Sequence, residues 1–197
     1  MRSAIEAALR WAVDSEGSSR SSALIRIGLA LLVWTRFSEE LLLFKHLSWA
    51  GLAFSLSYFF WTTAMLVGLA SRLSALAVGA HVFVLYFYGG YVQGNEPWTH
   101  HHVYLLGMAS ALCALTPCGR SYSLDRWRAL RRAEKTGVAA PPERGNLLGL
   151  RLIALQLCLM YFWTAWDKTH WGFLGGERLE QYAMNFYFGS VYPQWPG

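Results

Sequence analysis

The chain has 197 residues, of which 54% are apolar and only 15% charged. Aromatic residues reach 16%, with 10 tryptophans, and the formal charge is +5. Such a composition argues against an ordinary soluble domain and fits helix ends at bilayer interfaces, where Trp and Tyr rings straddle apolar and wet layers. The positive charge does not read as a nucleic-acid footprint, because the basic residues gather in one connector. Three cysteines, Cys113, Cys118 and Cys158, lack zinc-ligand spacing and read as free thiols in or beside helices.

In chain order, residues 1–20 form an amphipathic N-terminus with charges of both signs and no cleavable signal pattern. Hydropathy then predicts an all-α membrane bundle of about five transmembrane helices. The first runs over residues 22–44 and carries Arg26, Arg36, Glu39 and Glu40, with Arg36 and Glu40 spaced to pair across one helical turn. The second, 49–70, holds no charge, and the third, 73–92, holds His81, read as a hydrogen-bonded packing residue. Gly89 and Gly90 near its end point to close packing or a bend. After the Gly94–Pro97 turn, a fourth span covers 98–116 and is stopped by Pro117 and Gly119. The connector 120–146 carries Arg126, Arg128, Arg131, Arg132, Lys135 and Arg144, with a short helix capped by Ser123 or Asp125. A fifth span, 147–167, leads to an aromatic-rich interfacial segment, 169–197.

The basic connector is expected in the cytoplasm. Five spans then place the N-terminus inside, and the C-terminal segment and the turn bearing Glu96 outside. Arg26 and Arg151, near the inner ends of spans one and five, are expected to contact headgroups or one another's helix ends. The outer end collects Glu39, Glu40, Glu96, His100, His101, His102, Asp167, Lys168 and His170. Ionisable groups inside or at the end of spans are functional candidates by default. Three consecutive helical histidines fan over about 200° and cannot all ligate one ion. Structural hydrogen bonding, acid–base work or a metal site using one or two of them with Glu96 or His170 all stay open, and no metal is assigned. Lys168 follows Tyr161 and Thr164 on one helix face. It is either a snorkelling anchor or an amine whose desolvation would lower its pKa toward that of a base.

Four strings carry a family resemblance: Arg26-Ile27-Gly28, His102-Val103-Tyr104-Leu105-Leu106-Gly107-Met108, Ser121-Tyr122-Ser123-Leu124-Asp125-Arg126-Trp127, and Tyr161 to Lys168 followed by Trp171 and Gly176. Together they resemble the vitamin K-dependent gamma-carboxylase-like transmembrane (HTTM) domain over roughly residues 20–185, as a small bacterial-type member without the extracytoplasmic domain. The resemblance implies an outward-facing pocket for a quinone-like or lipid-linked substrate. In the carboxylase, a lysine at the place of Lys168 deprotonates vitamin K hydroquinone, with a histidine at the place of His102 assisting. Lys168 and His102 are therefore the implied catalytic pair. His101, Tyr161, Thr164, Glu40 and Glu96 are the supporting residues, and a naphthoquinol is the implied cofactor.

The first of the family's two adjacent lysines is Asp167 here, and the domain that holds the protein substrate in the carboxylase is not expected in this chain. Small bacterial relatives include a membrane protein needed to mature a secreted peptide. A non-catalytic accessory subunit that anchors, chaperones or matures a membrane or secreted partner is thus the alternative. The expected location is the bacterial inner membrane, with bilayer lipid as partner and no nucleic acid.

Overall fold

The computed structural model describes residues 6–7, 10, 13–14, 16–42, 48–95, 98–169, 171–176 and 180–184. Two compact units are present, Met1–Ala154 and Leu155–Gly197. The elements run β1 (Glu16–Ser18), α1 (Ser19–Phe37), α2 (Trp49–Val67), α3 (Ser71–Val84), a π-helical continuation (Leu85–Val92), α4 (His101–Cys113), α5 (Leu124–Thr136), β2 (Arg144–Asn146), α6 (Leu148–Asp167) and α7 (Trp171–Leu174).

In the first unit α1 to α4 form a closed ring of antiparallel neighbours, α1 on α2, α2 on α3, α3 on α4 and α4 back on α1. Its interior is filled by Ala30, Val33, Phe37, Tyr58, Met65, Val78, Val82 and Val103, all buried. The tightest approach is between α3 and α4, where a Cβ added to Gly79 would stand 3.0 Å from both the Gly107 carbonyl and the Ala111 Cβ. Small residues that let two backbones touch are what helix pairs use when apolar driving force is weak. Deep in this core the Tyr58 hydroxyl donates to the Val33 carbonyl at 2.5 Å and ties α2 to α1.

Helix ends follow local chemistry. Ser48 caps α2 by accepting the Gly51 N–H at 3.1 Å, and Gly68 ends it in the left-handed region at φ 71°. Ser123 caps α5 by accepting the Arg126 N–H at 2.9 Å, one of the two caps expected from sequence. The first span stops at Phe37, short of its expected end at residue 44, and Ser38 to Leu41 form a turn. Glu39 and Glu40 explain the early stop, since carboxylates oppose the negative end of the helix dipole. Residues 43–47 lie outside the described part.

Among the described residues, three helices are long and apolar enough to cross a membrane: Trp49–Val67, Ser71–Val92 and Leu148–Asp167. Helix α1 carries Arg20, Arg26 and Arg36, and α4 has 13 residues, about 20 Å of helix. Two features were not expected. Strands β1 and β2 pair antiparallel, with Gly17 opposite Gly145, in an otherwise helical chain. The C-terminal part of the third span is wound as a π-helix, with Gln93 N–H bonded to the Tyr88 carbonyl.

Candidate functional site

One end of the ring holds the C-termini of α1 and the π segment and the N-termini of α2 and α4; this is the histidine end. Here Arg36 and Glu40 pair at 3.3 Å, as their spacing predicts. His100 is the N-cap residue of α4 in extended conformation, and His101 and His102 open the helix. His100 and His102 stack with ring centroids 5.2 Å apart, while His101 stands edge-on to His102 at 5.3 Å. All three are exposed, and Arg36 lies close enough for its charge to act on His102. Among the described residues no group of three or more His, Cys, Asp or Glu side chains is arranged to hold a metal ion. Glu96 and His170 lie outside the described part.

Beside this cluster is a cavity of about 370 Å³ between the starts of α2 and α4 and the π segment. Phe54, Leu85, Tyr88 and Trp98 supply its apolar wall, and Ser48 and Gln93 its polar edge. Its size falls in the range of small-molecule sites, roughly 300–1,000 Å³. The cavity owes its shape to the glycines noticed in sequence. A Cβ at Gly89 would collide with the Trp98 indole, and one at Gly90 would come within 2.9 Å of the Thr99 methyl. Wider π winding, often found at functional sites, turns Tyr88 and Gly89 toward this space. His101, His102 and Glu40 are neighbours of the cavity in the chain but do not line it. The lining residues were missed because each reads as ordinary core; only the Gly89-Gly90 pair and the aromatic density signalled them.

In the middle of the ring His81 is satisfied, with Nδ1 2.7 Å from the Ala77 carbonyl and Nε2 3.1 Å from the Ser57 hydroxyl. Its ring also lies 5.0 Å from Phe54. The packing role expected of it is what the structure shows.

The second unit contains Tyr161, Thr164 and Lys168, all exposed. The Thr164 hydroxyl donates to the Met160 carbonyl of its own helix at 2.8 Å. Lys168 sits one residue past α6, its N–H donating to the Ala165 carbonyl, and its Nζ stands 5.6 Å above the Phe173 ring. A cation over an aromatic face is the arrangement of an interfacial anchor as readily as of a substrate-facing amine.

The opposite end of the ring departs most from expectation. Arg26 is fully buried, so the headgroup contact expected of it is not made. Its Nη1 donates to the Cys118 carbonyl at 2.7 Å and its Nη2 to the Tyr122 carbonyl at 2.6 Å. The guanidinium fork thus gathers the residues after α4 around the start of α1. Asp125, though inside α5, accepts from the Ala70 and Ser71 N–H groups at 2.9 and 2.7 Å and from the Ser71 hydroxyl at 2.8 Å. Two of the four resembling strings, Arg26-Ile27-Gly28 and Ser121 to Trp127, therefore meet in one structural knot. Cys113 and Cys118 are free and buried beside it, and Cys158 is free and exposed.

A family model of the HTTM domain matches residues 59–194, more than half of the chain, and takes in the His102, Asp125 and Lys168 strings. No curated protein and no solved structure gives a match. The apolar helices fit the membrane setting of that family. The chain belongs to the HTTM domain family.

Proposed function

We propose that this HTTM-family protein crosses the membrane five times and binds a quinone-like or lipid-linked molecule at its histidine end. The observation that carries the reading is the cavity walled by Phe54, Tyr88 and Trp98 with Ser48 and Gln93 at its edge. Flat aromatic walls suit a ring-bearing head group, and two neutral polar side chains can hydrogen-bond quinone or quinol oxygens. A prenyl-type tail would leave the cavity sideways into lipid. Helices α1 and α4 complete the five spans, and the basic α5 connector puts the histidine end outside, by the excess of cationic residues on the opposite side.

Within this reading Lys168 serves as the base that takes a quinol proton and His102 assists, with His101, Tyr161, Thr164, Glu40 and Glu96 as substrate-binding residues. The roles of Lys168, His102 and His101 come from the family resemblance, those of Tyr161 and Thr164 from the helix face they share with Lys168, and those of Glu40 and Glu96 from their place in the outer ionisable cluster. The test is photoaffinity labelling of the reconstituted full-length chain with an azido-naphthoquinone. Adducts on Phe54, Tyr88 or Trp98 that disappear in Trp98→Ala are expected, and labelling that ignores this substitution would defeat the proposal. Lys168→Ala and His102→Ala should abolish quinol turnover while leaving labelling intact.

A second reading, an accessory subunit that anchors or matures a partner protein, draws on the exposed aromatic residues of α6. There Tyr161, Phe162, Trp163 and Trp166 are each more than half exposed. A stoichiometric partner that co-purifies with the Lys168→Ala variant as well as with the native chain would favour it.

A further inference from the structure

Helix α5 is the most polar element of the chain and buries none of its residues. Arg128, Arg131, Arg132 and Lys135 are all exposed and fall within about 100° of its circumference. With Trp127 they line one shallow concavity. Arg131 lies 5.6 Å above the Trp127 ring and 3.6 Å from Glu134. Among the described residues Arg128, Arg132 and Lys135 form no ion pair. On the adjoining arc Trp127 and Leu130 are about half exposed. Four clustered cations beside an exposed indole and leucine are unsuited to a protein core and match the two layers of a membrane interface.

The position of this helix is fixed. Asp125, in its first turn, is bonded to Ala70 and Ser71, and the Asp125 N–H donates to the Gly68 carbonyl at 3.0 Å. Gly68 to Ser71 is the turn between α2 and α3, two helices long and apolar enough to cross a membrane. If those helices cross, as proposed above, the start of α5 is pinned at the bilayer surface.

We infer that α5 is an interfacial helix whose Arg128, Arg131, Arg132 and Lys135 bind the phosphate headgroups of anionic phospholipids, with Trp127 and Leu130 set into the headgroup layer. Charge complementarity selects this occupant: cationic clusters directly beside membrane-crossing helices attract acidic lipid, and a basic amphipathic helix with Trp and Leu on its apolar arc lies in the interface plane.

Native mass spectrometry of the full-length chain in detergent, offered equimolar phosphatidylglycerol and phosphatidylcholine, tests this. Phosphatidylglycerol adducts should exceed phosphatidylcholine adducts at least about tenfold. The preference should collapse toward parity in R128Q/R131Q/R132Q/K135Q and survive in R128K/R131K/R132K, because phosphate binding at this face needs charge rather than guanidinium shape. All four side chains are exposed, so circular dichroism should show unchanged helicity. Equal retention of the two lipids by the native chain, a preference intact in the glutamine variant, or displacement of the lipid by an oligonucleotide would each overturn the assignment. Quinone labelling at the histidine end is read separately, so either proposal can fail alone.

Discussion

Asp125 caps a helix that is not its own. Its carboxylate accepts from Ser71 twice, through the backbone N–H at 2.7 Å and the hydroxyl at 2.8 Å, although the two residues are 54 positions apart. Ala70, the N-cap residue of α3, is itself unable to cap, since it has no side-chain acceptor and sits at φ 46°. Replacing Asp125 with Ala leaves those donors half-buried and unmatched, at a cost of about 1–3 kcal/mol. Asp125→Asn should recover part of the loss by keeping one acceptor oxygen. Thermal unfolding of the detergent-solubilised variants gives the ranking.

Arg26 should tolerate no substitution cheaply. Arg26→Met removes the charge-assisted hydrogen bonds to Cys118, Tyr122 and Ser71 and leaves the buried Cys118 carbonyl bare, an expected loss of about 3 kcal/mol or more. Arg26→Lys should also be destabilising, because one ammonium cannot reproduce a fork that reaches Cys118 and Tyr122 together. Denaturant titration of both variants, compared with the native chain, is the measurement.

Two glycines give a paired test of the same region. At Gly68 a side chain would meet Ser123 and the Arg26 guanidinium, and the backbone is left-handed, so Gly68→Ala should cost more than about 1 kcal/mol. At Gly28, inside α1, nothing lies within 4 Å of an added Cβ. Gly28→Ala should be neutral or stabilising by up to about 1 kcal/mol, from helix propensity alone. Equal effects at the two sites would contradict the knot described here.

The polar end should also answer to acid. Glu143 accepts from the Arg20 guanidinium at 3.2 Å, and this bond, with the charges of Arg20 and Arg126, holds its carboxyl below the usual range. A depressed carboxylate adds stability above the unfolded-state pKa and loses it as pH falls through the lower folded value. Native chain and Glu143→Gln should therefore differ in melting temperature at neutral pH and converge under acid. The difference should be small, because Glu143 is exposed and its ion pairs are screened.

Helices α2, α3 and α6 were legible because long apolar runs leave few alternatives, and the Ser123 cap and Arg36–Glu40 pair because both are local. The role of Arg26 was not legible. Its partners lie 45, 92 and 96 positions away, and the two at the shortest distances are backbone carbonyls, which carry no residue signature. The π winding at Leu85–Val92 has no distinct apolar period and showed itself only through Gly89 and Gly90. For the same reason the cavity residues Phe54, Tyr88 and Gln93 were passed over in favour of histidines and a lysine, whose chemistry is visible in one letter.

The buried Arg26 has a consequence for biogenesis. Helix α1 is made first, yet the Ser71 hydroxyl that accepts from its guanidinium emerges 45 residues later and the Cys118 and Tyr122 carbonyls 92 and 96 residues later. Until then the helix carries an unmatched cation about 10 Å from its start, and a central arginine costs roughly 2.5–3.5 kcal/mol to insert. In the five-span reading proposed above, the first helix is thus a poor candidate to enter lipid alone. Its stable placement awaits the Cys118–Tyr122 segment, and the β1–β2 pairing closes only when residues 144–146 have followed. Arrested nascent chains ending before residue 118 should show α1 readily extracted from the membrane, and chains extending past residue 146 should hold it.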